Sequence, residues 1–181
     1  MSFIGNLSYF PNADAVYFFT REILPQILKE EPEARFYVVG QNPTKKMKKM
    51  SSEKIIITGF VNEIKYEYLK SAVVVAPIRF GAGMQNKIVE ALALGIPVVA
   101  TSVAVNGLPG ELKDLVFVSD DPKEFAKNVV AVIRDPNIRK QVQIRRYIVK
   151  DTLSLEVIGQ KLENYLKELL TIKVKTNEIK S

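Results

Sequence analysis

The sequence predicts an α/β fold: a Rossmann-like, doubly wound parallel sheet of about six strands, with helices on both faces and a helical C-terminus. Short apolar, β-prone runs alternate with amphipathic helical patterns along most of the chain, which is how strands and crossover helices of such a sheet are written. Most of those runs are apolar at consecutive positions, as strands buried on both faces must be. The chain has 181 residues, 47% of them hydrophobic and 25% charged, a globular profile long enough for one core without disulfides or metals. No linker, composition shift or repeat divides it. One domain over residues 1–171, followed by a charged tail at 172–181, is the expected organisation.

The elements follow in order. The runs SFIG (2–5), RFYVVG (35–40), KIIITG (54–59), AVVVAP (72–77), PVVAT (97–101) and LVFV (115–118) read as strands. Helical spacing covers 13–31, 63–70 and 87–94. Asn62 is the expected N-cap of the second of these. In DDPKEF, Asp121 stands as N-cap, Pro122 in the first turn and Glu124 three positions on, a capping-box arrangement. Capping is also the better reading of the Asp120–Asp121 pair than metal binding. From Asp121 the pattern is helical to about Leu170.

Composition removes several chemistries. With no cysteine, disulfide scaffolds and thiolate metal sites are excluded. With no histidine, imidazole is excluded as base, nucleophile or ligand within these residues. The net charge of +6 suits an anionic partner, and equally a basic surface that serves solubility. No nucleic-acid reading motif or interleaved aromatic–basic stripe accompanies it, so nucleic acid is not an expected partner. PTKKMKKM (43–50) places four lysines in eight residues; a solvated helix face is the first reading, and a phosphate or membrane-lipid contact the second. The opening MSFIGNLSYF has no basic leader or cleavage site, and the apolar region 88–105 is interrupted by Glu90, Gly95, Pro97 and Thr101. The expectation is a soluble, cytoplasmic chain, with peripheral membrane contact as the variant.

Chemistry concentrates in RFGAGMQNKIVEALALGIPVVAT (79–101). It follows the 72–77 strand, and open α/β sheets bind ligands outside the carboxyl ends of their strands. Gly81 and Gly83 let the backbone approach an anion closely. The N–H groups at the helix start, near Met84, Gln85, Asn86 and Lys87, point toward that anion, and the helix dipole favours it. Lys87 and Arg79 add positive charge, so a phosphate or diphosphate is the natural guest. Glu90, one turn on, would repel phosphate but accepts hydrogen bonds from sugar hydroxyls. On spacing alone it reads equally as an exposed helix residue paired with Lys87. No G-x-G-x-x-G follows the first strand, and no G-K-[ST] of a P-loop occurs. No carboxylate cluster has convincing metal-ligand spacing, so neither a metal nor another cofactor is expected.

Taken with FIGNLSYFPNADAVYFF and RFYVVGQNP…IIITGFV before it, PIRFGAGMQNKIVEALALGIPVVAT closely resembles the donor-binding, C-terminal half of group 1 glycosyltransferases, retaining enzymes of the glycosyltransferase-B fold. The resemblance runs from about residue 3 to 136 and is most specific over 87–101. It implies that a nucleoside-diphosphate sugar lies across the strand ends. Glu90 matches the glutamate that bonds the ribose, and with Lys87 it forms the candidate catalytic pair. Gly81, Gly83, Met84 and Gln85 match the loop around the diphosphate and sugar. Gly59, Phe60 and Val61 match the turn beside the nucleobase, and Gly40 closes the neighbouring strand in the same way.

Three departures accompany the resemblance. Ala82 stands where the family commonly has a glutamate contacting the donor sugar. Gly5 and Asn6 open a loop in which the family carries an arginine and a lysine; the second basic position falls near Pro11 or Asn12. Lys87 and Arg79 are the local candidates to compensate. Finally, the chain begins at the first strand of the donor half, so the acceptor-binding N-terminal half is expected in a longer chain or a separate subunit. Donor-side electrostatic stabilisation of the leaving diphosphate is within reach of this half; acceptor positioning is not. The alternative is a non-catalytic nucleotide-binding module that kept the pocket.

Overall fold

Strands that are apolar on both faces must be covered on both, and the chain achieves this by reversing its winding once. The structure, a computed structural model, describes residues 1–81, 83–160 and 162–163. Strands β1 (Ser2–Ile4), β2 (Phe36–Val39), β3 (Ile55–Gly59), β4 (Val74–Ala76), β5 (Val98–Ala100) and β6 (Val116–Val118) form one sheet in the order β3-β2-β1-β4-β5-β6. Every pairing is parallel. Each strand falls inside a run that the sequence marks as one, and the expected Rossmann-like, doubly wound class is the one observed.

The helices are α1 (Phe10–Phe18), α2 (Leu24–Glu30), α3 (Lys45–Lys48), α4 (Ile64–Leu69), α5 (Asn86–Ala93), α6 (Ser102–Val105), α7 (Gly110–Lys113), α8 (Pro122–Arg134), α9 (Pro136–Arg145) and α10 (Tyr147–Leu153). Residues 155–160 are also helical. Parallel crossovers are right-handed, so the reversal between β1 and β4 sends α1–α2 to one face and α5 to the other. The later helices then complete both layers: α8 packs against α2, and α10 against α5 and α7. Phe19 links the first layer to the sheet, its ring 4.4 Å from that of Phe36 and 6.2 Å from that of Phe125.

The register decides where a site can open. β1 pairs with β2 from Ser2↔Tyr37 to Ile4↔Val39, but with β4 at Ser2↔Val74. Toward its carboxyl end β1 therefore follows β2, and the crevice at the switch point lies between β1 and β4.

Several boundaries differ from expectation for local reasons. The first helix begins at Phe10 rather than 13, with Pro11 in its first turn, where a missing N–H costs nothing. Pro25 cannot donate to the carbonyl four residues back, and the segment just before it, Phe19–Ile23, is π-helical. The N-cap of α4 is Glu63, with extended backbone and no side-chain cap bond, not Asn62. Asp121 does cap α8, its side chain accepting from the N–H groups of Lys123 and Glu124. The run after 121 is not one helix. Pro136 disfavours helical backbone at Asp135, which is extended and caps α9 by accepting from Asn137 N–H at 2.9 Å; Ser154 breaks the run again. Ala82, Lys161, the last part of the expected helical run from 164 to about Leu170, and the 172–181 tail lie outside the described residues.

Candidate functional site

The loops that leave β1 and β4 meet at the switch point, and their side chains are joined across it. Asn12, in the first turn of α1, is only 7% exposed. Its Nδ2 donates to the Asn6 carbonyl at 2.9 Å, and its Oδ1 accepts from Lys87 Nζ at 3.1 Å. Lys87 Nζ also donates to Gln85 Oε1 at 2.9 Å and lies 5.1 Å from the centre of the Phe3 ring. Lys87 is 8% exposed. Burial pushes its amine down to about 8, against the upward pull of Glu90. An ammonium held by neutral amide oxygens in a poorly solvated place is a concentrated positive charge.

The start of α5 adds to that charge. Gln85 is its N-cap but makes no side-chain cap bond; its carbonyl oxygen on the side chain is committed to Lys87 instead. The first-turn N–H groups at Asn86 and Lys87 are orphan donors of a helix N-terminus. Gly83 sits just ahead of them at φ +85°, a conformation that favours glycine, and a Cβ there would meet nothing within 4 Å. Gly81, Met84 and Asn86 are exposed around it, and Gln85 is half-buried.

Glu90 is exposed on α5. Its carboxylate is not paired with Lys87 through a direct bond; Oε2 accepts from the hydroxyl of Tyr68 at 2.6 Å. Arg79 is engaged by α1. It donates to Asp14 through two bonds of 2.6 and 2.9 Å, and its guanidinium stands 4.5 Å from the Phe18 ring centre and 5.5 Å from that of Phe80. Asp14 thus matches most of the charge that the sequence offers at Arg79.

On the β2–β3 side, Gly5, Gly40 and Gly59 end three adjacent strands. Gly5 N–H donates to Val39 O at 3.0 Å and Gly40 N–H to Gly59 O at 3.1 Å. Asn6 shapes the loop, its Oδ1 accepting from Ser8 N–H at 3.1 Å and Ser8 Oγ at 2.9 Å. Phe60 is 72% exposed at the end of β3, with Val61 half-buried beside it. Of the residues named from sequence, Lys87, Gln85, Asn6 and Gly5 form one connected group through Asn12. Glu90 and the glycine loop share α5 with it. Gly40, Gly59, Phe60 and Val61 lie along the neighbouring strand ends.

A cavity of about 340 Å³ at the β6 edge, lined by Phe117, Ile138 and Val142 together with Asp114, Asp135 and Arg145, lies elsewhere. Two carboxylates against one guanidinium suit an anion poorly.

The family model for glycosyl transferases group 1 matches residues 1–135. The chain belongs to that family. The glycosyltransferase domain is also similar in fold to Alr3699/HepE of Anabaena, solved in complex with UDP: TM-score 0.69, 16% identity, covering 92% of this chain and 48% of that one. The C-terminal domain of a group 1 family protein (LpcC) from Francisella tularensis matches with TM-score 0.61 and 20% identity over 84% of this chain and 82% of that domain. An uncharacterized 44.6 kDa protein in the cps region of Klebsiella pneumoniae is 21% identical over 154 residues, 80% of this chain and 40% of its own length. The glycosyltransferase chain therefore spans less than half the length of this curated relative and of HepE.

Sequence reasoning missed three residues at this candidate site. Asn12 entered only as the place of an absent basic residue, and Tyr68 was not singled out within the 63–70 helical run. Gly107, in the turn after α6, was unremarked although NG is a turn signal. A Cβ on Gly107 would press on the Gly83 carbonyl and stand 2.7 Å from Met84 N, so this glycine lets the 105–109 turn back the loop. Gly107→Ala is expected to lower stability by about 1–3 kcal/mol, the usual cost of overpacking, and to weaken diphosphate binding at least several-fold by shifting Gly83. Calorimetric titration beside a urea unfolding curve measures both. An alanine variant that binds as the parent does would separate Gly107 from the loop.

Proposed function

We propose that this domain binds the nucleoside-diphosphate sugar donor of a retaining glycosyl transfer, as part of an enzyme whose acceptor-binding half lies in the same longer chain or in a separate subunit. The observation that carries the reading is the meeting, at the β1/β4 switch point, of a buried lysine, a helix N-terminus without a side-chain cap and a glycine of positive φ. Diphosphate between the Gly81–Gly83 loop and α5 receives N–H donors and the Lys87 charge. The ribose then reaches Glu90, and the base lies along Gly40, Gly59 and Phe60. HepE, whose fold this chain shares, is solved with UDP, which supports a nucleotide at these strand ends.

In the transfer, the bond from the anomeric carbon to the diphosphate oxygen breaks and negative charge grows on the leaving group. Fixed donors aimed at that charge lower the barrier because they need no reorganisation. Lys87 and the α5 N–H groups are such donors. They act on the leaving group without supplying an acceptor, which must be positioned by the other half. Arg79, already paired with Asp14, contributes less.

Glu90→Gln tests the reading. Replacing a charged acceptor of ribose hydroxyls by a neutral one is expected to weaken nucleoside-diphosphate binding by about 1–3 kcal/mol, with folding little changed because the glutamine amide oxygen can still accept from the Tyr68 hydroxyl. Equal affinities in calorimetric titrations of UDP, GDP and ADP into parent and variant would remove Glu90 from the ribose. Labelled sugar nucleotide incubated with an acceptor half supplied in trans separates a donor domain from a non-catalytic module, which would bind and never transfer.

A further inference from the structure

Glu90 stands on an exposed face of α5, where a free carboxylate would sample several rotamers. It does not stand alone. Tyr68 lies on α4, a different element, and is 1% exposed, so its ring is fixed by the core. Only its hydroxyl reaches the surface of α5, where it donates to Glu90 Oε2 at 2.6 Å. A carboxylate offers about four lone-pair sites, and this bond occupies one of them while leaving the other oxygen for a ligand.

We propose that Tyr68 is the positioning residue of the donor site: it locks the Glu90 carboxylate in the orientation that accepts from both ribose hydroxyls, and so sets the preference for ribonucleotide over 2′-deoxyribonucleotide donors. The inference rests on the ribose role of Glu90 proposed above. Two features support it. The bond joins residues 22 apart in sequence on separate helices, so the orientation of Glu90 is fixed relative to α4 rather than to its own helix alone. Burial first, and Glu90 second, raise the phenol well above its ordinary range, so the hydroxyl remains a donor at every working pH. A phenol held protonated offers no base near neutrality and is a weak acid, so what the geometry gives Tyr68 is the bond that orients Glu90. Among the described residues the hydroxyl bonds to Glu90 alone, and phenylalanine would fill the rest of the same volume.

The test uses the 181-residue chain, its Tyr68→Phe, Glu90→Gln and double variants, and calorimetric titrations with UDP, GDP, ADP, their 2′-deoxy counterparts and inorganic diphosphate. The parent is expected to prefer the ribonucleotide. Tyr68→Phe should weaken the ribonucleotide about tenfold, in the range of one charge-assisted hydrogen bond, and bring the ribo-to-deoxy ratio toward one. Inorganic diphosphate, which has no ribose, should bind unchanged. The double variant should bind no more weakly than Glu90→Gln, because Tyr68 acts through that carboxylate. A ratio that Tyr68→Phe leaves at the parent value, while Glu90→Gln collapses it, overturns the positioning role and spares the ribose role. Equal weakening of inorganic diphosphate by Tyr68→Phe also overturns it, as structural damage. A ratio unmoved by Glu90→Gln overturns both.

Discussion

Gly40→Ala is expected to lose about 3–5 kcal/mol of stability, from the strain of a glycine-only backbone conformation and from overpacking. Gly40 has φ +149°, and a Cβ on it would sit inside the contact distance of the Gly5 carbonyl oxygen and 2.8 Å from its carbon. Neither obstacle can yield cheaply. Gly5 N–H is bonded to Val39 O and Gly40 N–H to Gly59 O, so moving one strand end moves three. Domains of this kind hold about 5–15 kcal/mol in all, and the variant should unfold at a much lower urea concentration. Gly59→Ala is the control: φ is +72° but a Cβ would touch nothing within 4 Å, so about 1–2 kcal/mol is expected from backbone strain alone. Equal midpoints for the two variants would show that the Gly5–Gly40 approach is not the tight point of the sheet end.

That contrast also marks what the sequence discloses. Six strands were legible because apolar, β-prone runs such as VVVA and IIIT mark them; the inner β4 is buried throughout, while the edge strands β3 and β6 are only partly covered yet carry the same kind of run. The strand-end glycines were legible as turns, but only the structure separates Gly40, pressed against Gly5, from Gly59, which faces open space. Helices α6 and α7, four residues each, are too short for a period to show. The site divides in the same way. Gly83, Lys87 and Glu90 lie within eight residues, and their common helix start made them readable as a group. Their partners come from elsewhere: Asn12 from α1, Tyr68 from α4, Gly107 from the turn after α6. Hydrogen bonds across 75 and 22 residues leave no local periodicity. Lysine on an amphipathic helix normally reads as solvated, so the burial of Lys87 is a tertiary fact.

Lys87→Met is the second large effect, and it separates binding from stability. The variant should lose at least about tenfold in nucleoside-diphosphate affinity, the low end for a hydrogen bond to a charged group, while its stability stays within about 2 kcal/mol of the parent. The near-balance follows from two opposed terms. An amine whose native value is about 8 instead of 10.5 is charged at neutral pH at a cost of about 3 kcal/mol, which methionine removes. Against this, Asn12 Oδ1, on a buried side chain, loses its donor, at about 1–3 kcal/mol. The pH dependence carries the same signature. Between about 8 and 10.5 the unfolded chain binds more protons at this position than the native one, so the parent gains stability as pH rises across that window. Binding runs the opposite way, because the diphosphate needs the ammonium: affinity should fall as pH rises through about 8. Both slopes should flatten in Lys87→Met. Titrations with UDP, GDP and ADP from pH 7 to 9.5, beside urea midpoints at the same pH values, measure them. A parent affinity that is level across this range, or a methionine variant that binds as tightly, would show that the buried ammonium joins the two loops without touching the donor.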